Sequence, residues 1–462
     1  MNFVYIDIDS LRPDHIGAYG YERDPPTTPN INELAEDAVR FERAYTANSP
    51  CMPSRASLLS GRYGINNGVT THGSSAQVMN GPQWRDDEYG FSRGCWTLPE
   101  LLFQNEVRGG GGMRTCAVSS FPRHPAPWFY HLWHEFYQPQ EPDAAQLEYF
   151  QTPRAEMVAD IATDFLDENA DGDFFLYAQF WDPHAPCKRS DDEIDEFEDT
   201  PLPPYPTEEM IDEHTEWDAW HSADRMGIGD REDLRDTLAS YDAEVRYADR
   251  HIGRLLDALR QHGVYDDTTV VVTADHGEEF GEHGVYRDHW STHEGTQRVP
   301  LIVKPPAGIG AETGSREGLV TNVDLPPTIA DLAGLEPPSA WQGDSLLPVL
   351  SNDAEPRDGI VVDHGLFTAQ RAVVTEGWKF VRTYHPGMWD GVVPERQLFD
   401  IQHDPWEQED VSGEYPDVAE DLEERMAVWA ERHAGEYEDS LRRTARLVPQ
   451  ATRNNLEYFE GV

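Results

Sequence analysis

Cysteine, lysine and long apolar runs are all scarce in this chain of 462 residues. Four cysteines, Cys51, Cys95, Cys116 and Cys187, are too few and too scattered for a disulfide framework, and no Cys-x-x-Cys pair marks a zinc site. No window approaches the ~20 apolar residues of a membrane span. The opening residues carry neither a basic segment nor a small-residue cleavage site. These absences predict no membrane partner and a cytoplasmic location. Basic side chains are outnumbered as well: 36 Lys+Arg face 86 Asp+Glu, for a net charge of -50. Such a chain lacks the concentrated positive face that nucleic-acid binding requires. Lys188, Lys304 and Lys379 are its only lysines, so nearly all the cations are arginine. Acid spread along the whole length with almost no lysine suits a halophilic protein in a high-salt cytosol, where counterions screen self-repulsion over roughly 3 Å at 1 M.

Core-forming residues, in contrast, are plentiful. Hydrophobic residues make up 38%, and 13 Trp, 19 Tyr and 18 Phe exclude a disordered chain. Phe3, Val4, Tyr5, Ile6 and Ile8 read as a buried strand running into Asp9 and Ser10. Further strands are expected at 115–119, 174–180, 269–273 and 299–303, and long helices at 154–167 and 233–261. In the second helix Leu234, Leu238, Tyr241, Val245, Ala248, Ile252 and Leu255 recur every three or four residues, and its charged face reads as solvated. This alternation predicts an α/β fold with a large mixed, mostly parallel sheet flanked by helices. Shorter apolar pieces after a polar stretch predict a larger domain over 1–351 and a smaller α+β domain over 352–462.

The stretch Ser49-Pro50-Cys51-Met52-Pro53-Ser54-Arg55-Ala56-Ser57-Leu58-Leu59-Ser60-Gly61-Arg62 carries the most chemistry. Pro53 suits the first turn of a helix. That puts Cys51 just ahead of free N–H groups and the positive end of the dipole, where an anion is favoured. Arg55 can turn its fork toward the same oxyanion. A thiol so placed is expected to have a depressed pKa and to be reactive. Asp9 and Asp275 each follow a predicted strand, where open α/β sheets place their ligands. With His276 alongside they offer oxygen and nitrogen donors to one divalent ion. Carboxylates suit Ca²⁺, Mg²⁺ or Mn²⁺, and the imidazole shifts the preference toward Mn²⁺.

Cys51-Met52-Pro53-Ser54-Arg55, followed by Ser60-Gly61, resembles the formylglycine signature of the type I sulfatases, within the alkaline phosphatase superfamily. Asp9-Ser10-Leu11-Arg12-Pro13-Asp14-His15 resembles that family's opening metal-ligand segment, and Thr273-Ala274-Asp275-His276-Gly277-Glu278 its second. Trp181-Asp182-Pro183-His184 resembles a segment bearing an active-site histidine, and 298–303 the strand after the second metal segment. The similarity runs through the chain in order. It implies an alkaline-phosphatase-like fold with 1–351 as the catalytic domain. It also implies that a formylglycine-generating maturation enzyme oxidises Cys51 to an aldehyde, whose hydrate supplies the nucleophilic oxygen. One metal ion, Ca²⁺ foremost, is implied at Asp9, Asp275, His276 and residue 51. Arg55 would steady charge on the ester oxygens, and His184, with His289 second, would protonate the leaving alcohol. The implied reaction is hydrolysis of a sulfate monoester on a small molecule or oligosaccharide, such as a sulfated sugar.

Several positions depart from that pattern. An aspartate often stands where this chain has Ser10, and the related phosphonate monoester hydrolases also lack it. Two lysines that grip sulfate in the family are absent from Ser119-Ser120-Phe121-Pro122-Arg123-His124 and from Glu282-His283-Gly284-Val285-Tyr286-Arg287-Asp288-His289, with Asp288 in the second lysine's place. His72, Arg123, His124 and Arg287 are the candidates to bind substrate instead. Two other readings therefore stay open: a phosphonate monoester or phosphodiester hydrolase, and a degenerate binding protein. Glu278 and Glu279 read as solvated charges. Asp167 to Gly172 copies half of an EF-hand loop but reads as a helix-to-strand turn, because Ala178 takes the twelfth position.

Overall fold

The computed structural model describes residues 1–73, 76, 78–80, 97–107, 112–121, 126–130, 132–139, 154–187, 189–217, 222–351, 354, 357–435 and 438–453. Eight strands form one sheet in the order Gly314–Thr321, Val39–Tyr45, Arg298–Lys304, Thr268–Thr273, Asn2–Ile8, Phe174–Phe180, Arg114–Val118, Glu135–Tyr137. Arg298–Lys304 runs antiparallel to both of its neighbours, and the other pairings are parallel. The sheet is thus mixed and mostly parallel. All seven residues of Asn2–Ile8 are buried, as a central strand covered on both faces requires.

The helix Arg231–Gln261 covers this sheet together with Ala155–Asn169. Asp230 starts the longer helix by accepting from the N–H groups of Glu232 and Asp233, which moves its beginning two residues ahead of the predicted 233. Its charged face is not wholly solvated, as the periodicity suggested: Asp242, Glu244 and Asp249 are buried. Asp242 accepts from Tyr21 and lies 2.7 Å from His15 Nδ1 and 3.0 Å from Arg23 Nη1. Asp249 accepts from the N–H groups of Asn30 and Ile31 at the start of the helix Pro29–Glu36. These two carboxylates clamp the segment that follows the first strand, residues 15–31. The EF-hand-like stretch is the turn between Ala155–Asn169 and Phe174–Phe180.

A second sheet of five strands has the order Arg396–Asp400, Trp378–His385, Ala369–Thr375, Gly359–His364, Asn48–Ser49. Val361, Val373, Phe380 and Leu398 on one face pack against Ala419, Leu422 and Met426 of the helix Pro416–Ala434. Asn48–Ser49 comes from the other end of the chain and pairs in parallel with Asp363 and His364. That strand leads directly into the helix bearing Cys51, so both sheets position it. Among the described residues no helix is long and apolar enough to cross a membrane.

Candidate active site

Phe174–Phe180, Asn2–Ile8 and Thr268–Thr273 are adjacent and parallel, so their C-terminal ends share one edge of the sheet. The residues that follow them converge there. Asp9 leaves the central strand with its N–H bonded to Phe180 O at 2.9 Å. Ser10 takes a left-handed φ of 60°, which turns its N–H toward Asp275 Oδ1 at 3.3 Å and its hydroxyl toward Asp9 Oδ1 at 3.1 Å. His276 follows, with Nδ1 2.8 Å from Gly277 O. That contact puts the proton on Nδ1 and leaves the Nε2 lone pair facing inward. Nε2 lies 3.2 Å from Cys51 Sγ and 3.3 Å from Asp275 Oδ2.

Cys51 is the first residue of the helix Cys51–Ser60, one position inside the predicted start. Every residue of that helix is buried. Its serines fasten it: Ser54 to Thr46 and Asn322, Ser57 to Asn48, and Ser49 just ahead of it to His364. The helix ends at Gly61 with φ 59°, where an added Cβ would lie 2.7 Å from Trp341 Cγ, so only glycine fits. Asp9, Cys51, Asp275 and His276 each place one donor atom within 4.8 Å of the others.

Arg55, one turn along the helix, is fully buried and faces the same carboxylates. Its Nη1 is 2.5 Å from Asp275 Oδ2, Nη2 is 3.1 Å from Asp9 Oδ2, and Nε is 2.9 Å from Asp7 Oδ2. Phe121 lies under the guanidinium at 5.0 Å. Asp7 also accepts from the Tyr177 hydroxyl. No motif marks Asp7 or Tyr177, although a carboxylate inside an otherwise apolar strand signals a paired charge.

The electrostatics are those of a crowded anionic pocket. Burial opposes ionisation of Asp9, but Arg55 and the rings of His184, His276 and His289 hold its carboxyl below the ordinary range. Burial, reinforced by Asp9 and Asp7, pushes Asp275 well up despite Arg55. Each carboxyl thus opposes charge on the other, and Arg55 sits between them. Burial and the neighbouring imidazoles hold His276 neutral. The expected depression of the Cys51 thiol does not occur. Burial and then the negative charges of Asp9 and Asp275 push it well up, outweighing Arg55.

His184 follows Phe174–Phe180 and is half-buried; Ala185 O lies 2.6 Å from its Nδ1. Its ring is 5.9 Å from that of His289, which in turn lies 4.0 Å from the ring of His276. Burial works against charge on His289, yet Asp288, Glu278 and Asp9 outweigh it and push its pKa up to about 9. Glu278 and Glu279, expected in solvent, are 4% and 0% exposed. Glu279 accepts from Ser291 and Thr296. His72 Nε2 accepts from the N–H of Met52, one of the free donors at the helix start. Arg287 reaches Cys187 Sγ, 2.9 Å from its Nη2. Arg123 and His124 lie outside the described residues. Among the described residues no lysine enters the site: Lys304 donates to the carbonyls of Tyr265 and Thr268, and Lys379 pairs with Glu294 and Glu407.

A sheet edge carrying two aspartates, a histidine and a cysteine at a helix start defines a hydrolase of the alkaline-phosphatase-like fold. Residues 1–335 match the sulfatase family, and residues 281–432 match the C-terminal region of N-sulphoglucosamine sulphohydrolase. The chain belongs to the sulfatase family of sulfuric ester hydrolases. It is 26% identical to an N-acetylglucosamine-6-O-sulfatase of Bacteroides thetaiotaomicron, over 89% of this chain and 82% of that one. A choline-sulfatase of Rhizobium meliloti is 28% identical over 82% of this chain and 76% of its own. In fold, the chain resembles a protein solved with its substrate D-glucosamine-2-N,6-O-disulfate, at TM-score 0.72 and 21% identity, over 95% of this chain and 99% of that one. It also resembles the phosphonate monoester hydrolase of Agrobacterium radiobacter, at TM-score 0.70 and 20% identity, over 94% and 96%.

Proposed function

We propose that this chain hydrolyses a sulfate monoester of a small molecule or sugar, with residue 51 as nucleophile once a formylglycine-generating enzyme has converted the cysteine. The observation that carries this reading is the convergence of Asp9, Cys51, Asp275 and His276 within 4.8 Å at a helix start. The donors fit a divalent ion. Two carboxylates crowd against one guanidinium, and the imidazole presents its Nε2 lone pair. Asp9, Asp275, His276 and residue 51 would hold the ion, with Ca²⁺ the first candidate and Mn²⁺ or Mg²⁺ the others. When bound, it would supply positive charge to an ester oxygen.

The chain's own residues do the rest. Arg55 keeps Asp7, Asp9 and Asp275 in register and lends positive charge beneath the nucleophile. The open N–H groups of the helix face the same point. His184 is the first candidate to protonate the leaving alcohol, since its Nδ1 is engaged by Ala185 O and Nε2 is left for the substrate. His289 is the second, and its carboxylate partners hold it charged. His72, Arg123, His124 and Arg287 remain the substrate-binding candidates. The first 351 residues form the catalytic unit and 352–462 the smaller one. A high-salt cytosol is the setting that the acidity favours.

One observation favours a second reading, hydrolysis of a phosphonate monoester or phosphodiester: Ser10 and Asp288 stand where the signature family often carries aspartate and lysine. Turnover of paired sulfate and phosphonate aryl esters separates the two. A large preference for the sulfate is expected, and a large preference for the phosphonate replaces the first reading by the second. Loss of turnover in Cys51→Ala is also expected, and unchanged turnover there removes residue 51 from the mechanism.

A further inference from the structure

Beside the first cluster lies another set of donors. Glu278, Asp288 and His289 are 4%, 8% and 7% exposed, and one donor atom from each lies within 4.8 Å of the others. His289 Nδ1 is 3.4 Å from Asp288 Oδ1 and 3.5 Å from Glu278 Oε1. Glu278 Oε1 and His289 Nδ1 are both buried, and neither makes a hydrogen bond. They face each other at a spacing too long for a well-formed one. Asp288 Oδ1 accepts from the N–H of His289 at 2.8 Å, which holds that carboxylate beside the ring. Two donors about 2.1 Å from one ion, separated by a tetrahedral angle, lie about 3.4 Å apart. The observed spacings match that figure.

Charge leads to the same place. Arg55 already serves Asp7, Asp9 and Asp275. Glu278 adds a carboxylate to this buried region, joined to the first cluster where the His289 and His276 rings lie 4.0 Å apart. A sulfate or phosphonate ester brings one more negative charge, and no lysine among the described residues meets it. Buried charge of one sign needs a counter-charge.

We propose that Glu278, Asp288 and His289 hold a second divalent cation, next to the one assigned to Asp9, Asp275 and His276. Two carboxylate oxygens and an imidazole suit Mn²⁺ or Zn²⁺. His289 then serves this ion through Nδ1, and proton transfer falls to His184. The joint role of the two ions in receiving an anionic ester rests on the sulfatase reading above, whereas the occupancy of the second cluster does not.

Metal content of the full-length chain tests this directly. The protein is equilibrated with Mn²⁺, washed in concentrated KCl so that surface carboxylates release loosely held ions, and assayed by inductively coupled plasma mass spectrometry. Two equivalents per chain are expected in the parent, and one in each of Asp288→Asn, Glu278→Gln and Asp275→Asn, with near-ultraviolet circular dichroism reporting the fold. A single equivalent in the parent, retained in Asp288→Asn and Glu278→Gln, overturns the proposal and assigns the cluster to a protonated His289. Failure of the first site looks different: Asp275→Asn then keeps the parent's count while Asp288→Asn still loses one ion.

Discussion

Arg55 Nη1 sits 2.5 Å from Asp275 Oδ2, and the same guanidinium reaches Asp9 and Asp7, so one side chain neutralises the ends of two strands. Removing it strands three buried carboxylates. Breaking a buried pair from one side costs about 3–5 kcal/mol. Arg55→Ala should lower the unfolding free energy of chelator-treated protein by that order in urea titrations. Arg55→Lys should recover only part of it, because a single ammonium cannot span three carboxylates. Parent-like stability in Arg55→Ala would show that the carboxylates are protonated without it.

Asp9 and Asp275 repel each other across the proposed metal position. Asp9→Asn should relieve that repulsion, leaving the metal-free melting temperature unchanged or raised. Metal-dependent turnover should fall at least about 100-fold, of the order seen when a charged transition-state contact is lost. Parallel assays with and without chelator check both halves. If turnover persists in Asp9→Asn, the ion is held elsewhere.

The pH dependence of stability follows from His289. Its pKa rises from 6.5 to about 9 because carboxylates surround it. A raised folded pKa gives stabilisation that is complete below 6.5 and fades as the pH climbs to about 9. Metal-free protein at fixed salt should therefore lose stability across that window, by roughly 3 kcal/mol at most. His289→Gln should flatten the profile. A parent profile that rises over the same window contradicts the assignment.

With a net charge of -50, the compact chain repels itself. Raising KCl from about 0.1 M to about 1 M shortens the screening length from about 10 Å to about 3 Å. The melting temperature should climb over that range by differential scanning fluorimetry. A flat or falling response removes the salt-adapted setting.

Much of this was readable from residue order. The apolar run of residues 3–8 announced a central strand, and the carboxylates just past two such runs had to meet once those strands became parallel neighbours. His184 was marked only by its resemblance to the family's histidine segment, and Cys51 by the helix start and signature around it. What was not readable depended on distant partners. Glu278 and Glu279 look like any polar pair after a glycine, and only the returning segment 288–296 shows that they are buried. The Cys51 thiol was misjudged for a related reason. A helix start favours an anion, but Asp9 and Asp275 arrive from other strands and reverse the balance. Asp242 and Asp249 sit on what is by periodicity a wet face, and loop 10–31 covers them.

The short strand Asn48–Ser49 also sets an order of events. Its partners, Asp363 and His364, are synthesised more than 300 residues later, so on the ribosome this segment waits without its second sheet for most of translation. Once they dock, residue 51 is 1% exposed and locked into a helix. Any macromolecular catalyst that must reach its sulfur therefore has its opportunity before the C-terminal strands arrive. The same pairing that steadies residue 51 in the finished molecule closes the period in which such a catalyst can reach it.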